Sequence, residues 1–344
     1  MKHHLNTLFV QTDGTWLRKE GQNILVCVDD ETKLRVPIHT IGGVVCFGRI
    51  NASTAVLTLC AEAGVAVSFL SGTGRLQARV TGFTPGNVLL RRDQYRAADD
   101  DARCLTIAGP MVAAKIANSR TTLMRGIRDH GDAEGRLAAA CARMAPNAEA
   151  ALSAESLDHL RGIEGEAANA YFAVLSNLVT IKSEDREAFI MQGRSKRPPR
   201  DRFNCILSFL YAMLGHDARS ACEACGLDPA VGFLHRDRPG RPSLALDLME
   251  ELRSFLCDRL ALSLINRRQL TRKDFEAIEG GAIRFTDQTR RTVLAAYQNR
   301  KQETIQHPYL QESTTVGLLI HLQARLLSRV LRGELDTYPA FIWR

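Results

Sequence analysis

The sequence predicts an α+β protein of two domains, a small amino-terminal β-rich domain followed by a larger all-α catalytic domain. Three observations carry this. A chain of 344 residues is too long for one small core and fits about two domains. Its first ~95 residues are short apolar runs, rich in β-branched side chains and separated by Gly, Asp and Asn. From about residue 105, Ala, Leu, Arg and Glu recur at helical spacing instead. The expected domains are therefore residues 1–95 and 96–344.

Taken in order, strands are predicted at Leu5–Val10, Ile24–Val28, Leu34–Ile38 and Val44–Phe47. A helix follows at Ser53–Ala63, capped by Ser53 and turning Val56, Leu57, Leu59 and Cys60 inward. Strands return at Val65–Leu70 and Leu76–Thr81. Helices then cover Pro110–His130, Glu134–Met144, Ala154–Val179, Arg202–Gly215, Ser243–Asn266, Thr271–Glu276, Asp287–Asn299 and Thr314–Arg332. The segment Gly193–Arg202 is basic and contains proline, so it cannot be helical throughout. It reads either as a solvated loop or as an arm lying on nucleic-acid phosphates.

Composition narrows the function classes. Hydrophobic residues make up 45% and charged ones 24%, a globular and not a disordered balance. No run of about 18 apolar residues spans a membrane, and the start MKHHLNTLFVQTDGTW lacks the features of a signal peptide. Nine scattered cysteines fit a reduced cytoplasmic setting. The lone CxxC, Cys222 to Cys225, supplies only half of a tetrahedral zinc site. No Walker loop, GxGxxG, GxSxG or HExxH is present. The formal charge is +7, and 37 of the 45 basic residues are arginine. That bias has two readings, a GC-rich genome or a surface that grips phosphate with bidentate guanidinium groups.

Three places hold candidate chemistry. In LRGIEGEAANAYFAVL, Glu164 shares a helix face with Ala168 and Tyr171, while Glu166 points elsewhere. In GFLHRDRPGRPSLALDLMEELR, His235 sits in a loop ringed by Arg236, Arg238 and Arg241, where like charge favours neutral imidazole, the metal-ligating form. In the helix that follows, with Ser243 as a plausible cap, Asp247 and Glu250 lie three apart on one face. Glu251 and Asp258 read as solvated charge. Each group has an ordinary reading too: a dipole-stabilising acid, an Arg-paired Glu, a surface His. Taken together, two carboxylates and a neutral imidazole suit Mg²⁺ or Mn²⁺, with the nitrogen favouring Mn²⁺. In an arginine-rich chain such an ion points to phosphodiester chemistry.

At these residues the sequence resembles the CRISPR-associated spacer-acquisition integrases, also described as the CRISPR-associated protein-one endonucleases. The resemblance runs nearly the whole length, through GNVLLRRDQYRA at Gly86–Ala97, EGEAANAYF with Glu164, NCILSFLYAML at Asn204–Leu214, GLDPAVGFLH and SLALDLMEELR. The ending DTYPAFIWR looks closest to the subtype I-C branch. The resemblance implies a β-domain that forms a homodimer and a helical catalytic domain. It implies metal ligands at Glu164, His235 and Glu250, with Asp247 matching a second acidic position beside them. Arg253 matches a basic position used against DNA, and Tyr211 a tyrosine near the site, though Tyr211 also reads as a core aromatic. Arg236 joins the candidate DNA contacts because it lies beside His235 in sequence. The implied reaction is strand transfer, in which the 3′-hydroxyl of a short duplex attacks a phosphodiester at the edge of a CRISPR repeat. With water as nucleophile the same site is a DNA endonuclease. A small ferredoxin-like adaptation subunit is the implied partner. Two rival readings stand beside this one, a metal-dependent nuclease or resolvase with no integration role and a non-catalytic Arg-rich DNA-binding scaffold.

Overall fold

The computed structural model describes residues 6–71, 76–82, 88–181, 185–196, 198–278 and 280–343. Leu5, Gly86, Asn87 and Arg197, each part of a segment singled out above, and the final Arg344 lie outside the described residues. The chain divides into two compact units, residues 1–86 and 87–344. The division falls ahead of residue 95, because the helix that starts at Val88 is tied into the second unit. Its Gln94 Nε2 donates to the carbonyls of Asp228 and Val231, both at 2.8 Å.

Among the described residues, the first unit holds two four-stranded sheets and one α-helix. Its strands are β1 (Asn6–Val10), β2 (Trp16–Glu20), β3 (Asn23–Val28), β4 (Glu31–Pro37), β5 (Ile41–Phe47), β6 (Asn51–Ala52), β7 (Ala66–Leu70) and β8 (Leu76–Val80). One sheet runs in the order β4-β3-β2-β6, the other in the order β1-β5-β7-β8. Both β1 and β7 pair parallel to β5, and β8 closes an edge antiparallel to β7. The strand β2, WLRKE, carries no run of apolar residues for pattern reading to find, because only Leu17 is buried. The helix α1 (Thr54–Glu62) begins where Ser53 Oγ accepts the Val56 N–H at 3.3 Å. Val56, Leu59 and Cys60 then face a core that includes Val10, Leu17, Ile24, Val44 and Val67.

The second unit is predominantly helical. Its helices are α2 (Val88–Ala98), α3 (Asp101–His130), α4 (Arg136–Ala150), α5 (Leu157–Val174), α6 (Arg202–Ala224), α7 (Ser243–Leu252), α8 (Arg259–Asn266), α9 (Asp287–Gln302) and α10 (Leu319–Leu331). α3 starts at the Asp100 cap and runs straight through Pro110, so that proline is internal and does not mark the helix start. Between α7 and α8 the backbone widens into a π-helical turn, Arg253–Asp258. Ser243 is the first helical residue of α7 and offers no side-chain cap.

Two short ribbons interrupt the helices, β9 (Phe275–Ile278) with β10 (Ala282–Phe285), and β11 (Thr304–Gln306) with β12 (Ser313–Thr315). Thr271–Glu276 is therefore not a helix. Gly280 and Gly281 sit at φ of 85° and 75°, a turn that reverses the chain and lets Phe275 pair with Phe285.

Candidate functional site

The site is assembled inside the second unit from four elements. α5 brings Glu164, α7 brings Asp247 and Glu250, and the loop between α6 and α7 brings His235. α3 adds Lys115, which pattern reading of the sequence passes over.

Asp247 is fully buried and organises the loop. Its carboxylate accepts the backbone N–H groups of Phe233 (2.6 Å), Leu234 (3.0 Å) and His235 (3.1 Å). It also stands 2.5 Å from His235 Nδ1. A carboxylate in this role only accepts, so Nδ1 donates to it and Nε2 is the ring nitrogen turned toward Glu250. Nε2 lies 4.0 Å from Glu250 Oε1. Gly232 makes the close approach possible, since a Cβ there would stand 2.6 Å from Asp247 Oδ2.

Glu250 is buried against two cations, with the His235 imidazole beside them. Arg253 Nη1 is 3.0 Å from its Oε1, and Lys115 Nζ is 2.6 Å from its Oε2. Burial alone would raise its pKa, but Arg253, Lys115 and His235 outweigh that and hold the carboxyl at about 2. Lys115 also pairs with Glu164, which is half-buried. Burial opposes the Lys115 charge, yet Glu250 and then Glu164 raise its pKa above the ordinary value. The two carboxylates thus already hold one cation between them.

Behind this pair, Tyr211 Oη donates to Asp258 Oδ1 at 2.7 Å and Tyr171 Oη to Asp258 Oδ2 at 2.9 Å. The guanidinium groups of Arg253 and Arg194 stand over the Tyr211 ring, 5.0 and 5.2 Å from its centroid. Part of the basic connector is therefore docked. Arg194 Nη1 donates to Asn204 Oδ1 at 2.7 Å, and Asn204 Nδ2 donates to the Gly193 carbonyl at 2.8 Å.

Glu164, His235, Asp247, Glu250, Arg253 and Tyr211 come together. Arg236 does not join them; it is exposed and pairs with Asp158 at 2.6 Å, an acid that Arg161 shares. Glu251 and Asp258, read from the sequence as solvated charges, are buried. Burial raises Asp258 to about 6 against the two tyrosine hydrogen bonds. Glu251 rises to about 7 for the same reason, held by Tyr338, Phe341 and Gln323. Lys115 and Asp258 are the additions, and Arg194 comes from the basic connector singled out in the sequence. The signal for Lys115 was available: it is one of only eight lysines and interrupts the apolar run GPMVAAKIAN.

Among the described residues, no three carboxylate, imidazole or thiol groups stand close enough to enclose a metal ion as they lie. Lys115 occupies the space between Glu164 and Glu250. The donor set itself fits a hard divalent ion. Two carboxylates already reach a common cation, and the His235 nitrogen beside Glu250 is held in place by the Nδ1 contact to Asp247. The nine cysteines are free and take no part; Cys222 is buried, and burial pushes the Cys225 thiol up to about 11. Among the described residues no helix is long and apolar enough to cross a membrane.

The β-rich unit, the helical unit and a buried acid–imidazole–arginine cluster define a protein built for chemistry on phosphodiesters. The sequence profile of the family CRISPR associated protein Cas1 matches residues 8–299. The CRISPR-associated endonuclease Cas1 1 of Chlorobaculum tepidum is 51% identical over 346 residues, covering the whole of both chains. Two solved structures share the fold. A Cas6-RT-Cas1–Cas2 complex matches with a TM-score of 0.83 at 23% identity, over 100% of this chain and 36% of that one. A casposase bound to integration product matches with a TM-score of 0.81 at 21% identity, over 97% and 94%. The chain belongs to the Cas1 family of CRISPR-associated proteins.

Proposed function

We propose that this Cas1-family enzyme joins short duplex DNA to the edge of a CRISPR repeat by strand transfer. A 3′-hydroxyl of the incoming duplex attacks a phosphodiester of the repeat. The new O–P bond forms as the old P–O bond breaks, releasing a 3′-hydroxyl on the displaced strand. With water as nucleophile the same centre cuts DNA as an endonuclease. One observation carries the reading: Glu164 and Glu250 share a single cation beside a fixed imidazole, with Arg253 against the same carboxylate.

Glu164, His235 Nε2 and Glu250 would hold Mn²⁺ or Mg²⁺, which when bound polarises the phosphoryl oxygen. The chain's own groups do the rest. Asp247 keeps His235 oriented through Nδ1. Arg253, Lys115 and Arg194 oppose the charge of the phosphate, and Tyr211 fixes the plane on which two of them rest. The proposed partners are duplex DNA from protospacer and repeat, a second copy of this chain, and a small ferredoxin-like adaptation subunit. Neighbours described as a Cas1–Cas2 complex and as a casposase on its integration product support DNA and a protein partner. The ending DTYPAFIWR adds the subtype I-C branch to the proposal.

The test is a strand-transfer assay with a labelled short duplex, a repeat-bearing plasmid, the partner subunit and Mn²⁺ or Mg²⁺. Glu164→Ala and His235→Ala should lower joining by at least a hundredfold. Wild-type rates in either variant would sink the assigned centre. Cutting without joining would favour a nuclease, and tight binding with no metal-dependent product would favour a scaffold.

A further inference from the structure

We propose that the open cavity between the second half of α3 and α8 is a phosphate-binding site that anchors the DNA strand at a fixed distance from the catalytic centre. The inference rests on the DNA reading above. The cavity measures about 320 Å³. Its basic lining is Arg125, His130, Arg259 and Arg267. The acid in its wall, Asp129, is engaged by Arg128 Nε at 2.8 Å.

Charge balance is the first argument. Among the described residues, no carboxylate forms an ion pair with Arg259 or Arg267. Arg259 is half-buried, so its charge is not simply dissolved in water. Arg259 and Arg125 both lie against the Trp343 indole, 4.2 and 3.8 Å from the ring centroid. That stacking orients the guanidinium groups without supplying a counter-charge to Arg259. Burial, then Arg300 and Arg125, push the Arg259 pKa down to about 10, outweighing the pull of Glu303 and Asp129. An oxyanion at this place would be bound by forked donors already held in position.

Location is the second argument. α3 contributes Lys115 to the catalytic centre and Arg125 to this cavity. Ten residues of helix separate them, about 15 Å along the axis. The α7–α8 segment repeats the pattern alongside, with Glu250 at the centre and Arg259 in the cavity. One DNA strand advances about 3.4 Å per nucleotide, so the spacing matches a phosphate roughly four nucleotides from the joining point.

The experiment is duplex binding by the full chain across a salt series, with wild type, Arg267→Gln, Arg259→Gln and the double variant. Each lost phosphate contact should lower the salt slope by about 0.9, equivalent to about fivefold in affinity at 0.15 M salt and about thirtyfold for the double variant. Arg267 is exposed, so Arg267→Gln should melt like wild type even if Arg259→Gln folds poorly. A duplex made neutral by a methylphosphonate about four nucleotides from its joining end should lose the same fivefold with wild type. It should lose nothing further with the double variant. Unchanged slopes in both variants would overturn the site. So would thermal protection of wild type by inorganic phosphate alongside unaltered duplex binding by the variants, which would make it a small-anion pocket. If wild type neither binds nor joins duplex DNA, the functional reading falls, and this inference falls with it.

Discussion

At the scale of single residues, the site turns on where buried carboxylates find their partners. Asp247 spends its oxygens on three backbone N–H groups and one imidazole, so it positions His235. Asp247→Asn places an amide donor against those donors. Divalent-metal affinity should fall 10–100-fold, as for other groups that orient a ligand, and isothermal titration with Mn²⁺ reads it. Wild-type affinity would contradict the role. Asp258 gives a pH signature. Its folded pKa of about 6 lies above the ordinary carboxylate value because it is buried. Its proton is therefore retained in the folded state and lost in the unfolded state between roughly pH 4 and 6. That contribution, on the order of 2 kcal/mol, is present below this window and lost as pH rises through about 6. Asp258→Asn, which can bond both tyrosines, should remove this dependence. Urea unfolding of both proteins at pH 4, 5 and 6 would show the gap closing, and parallel curves would refute it. Glu164, His235, Glu250 and Arg253 were legible in the sequence because they sit in distinctive local phrases. Glu251 and Asp258 were misread because their burial depends on Tyr338, Tyr171 and Tyr211, which are remote in sequence.

At the scale of elements, helical periodicity identified α5, α6, α7 and α9 because apolar residues recur along each at spacings of three and four. It failed where tertiary pairing decides. β2 has one buried residue, and β9 resembles a helix in composition until the glycine turn folds it onto β10. The loop between α6 and α7 is the element on which the centre depends, and Gly232 is its tightest point. A Cβ there would meet Asp247 Oδ2 at 2.6 Å and the Ser243 carbonyl carbon at 2.8 Å. Relieving that overlap must displace the carboxylate or the first turn of α7. Gly232→Ala should cost about 1–3 kcal/mol in urea unfolding and lower joining activity along with it. Loss of stability with full activity would mean that the loop can shift without moving His235.

At the scale of the whole molecule, the division into a β-rich and a helical unit was visible in composition, while the knot that ties the helical unit together was not. The last residues fold back onto the middle of the chain. Asn118 Nδ2 donates to the carbonyls of Glu251 and Phe341, and its Oδ1 accepts the Trp343 N–H at 2.7 Å. Glu251 accepts from Tyr338 Oη at 2.5 Å and from the Phe341 N–H. Phe255, in the π-helical turn, packs its ring 5.2 Å from both Phe341 and Trp343. Glu250 and Glu251 are neighbours on α7, one facing the catalytic cations and the other gripping this tail. The tail therefore fixes the rotation of the helix that aims Glu250. Removing residues 338–344 strips three buried aromatic anchors, Tyr338, Phe341 and Trp343, each worth about 3–5 kcal/mol, and leaves the Glu251 carboxylate buried with fewer donors. The truncated chain should lose its cooperative thermal transition. Phe341→Leu, which keeps the backbone bonds and most of the volume, should only lower the midpoint by several degrees and reduce joining in proportion. A truncated chain that melts like wild type would show that the helical unit is held without its tail.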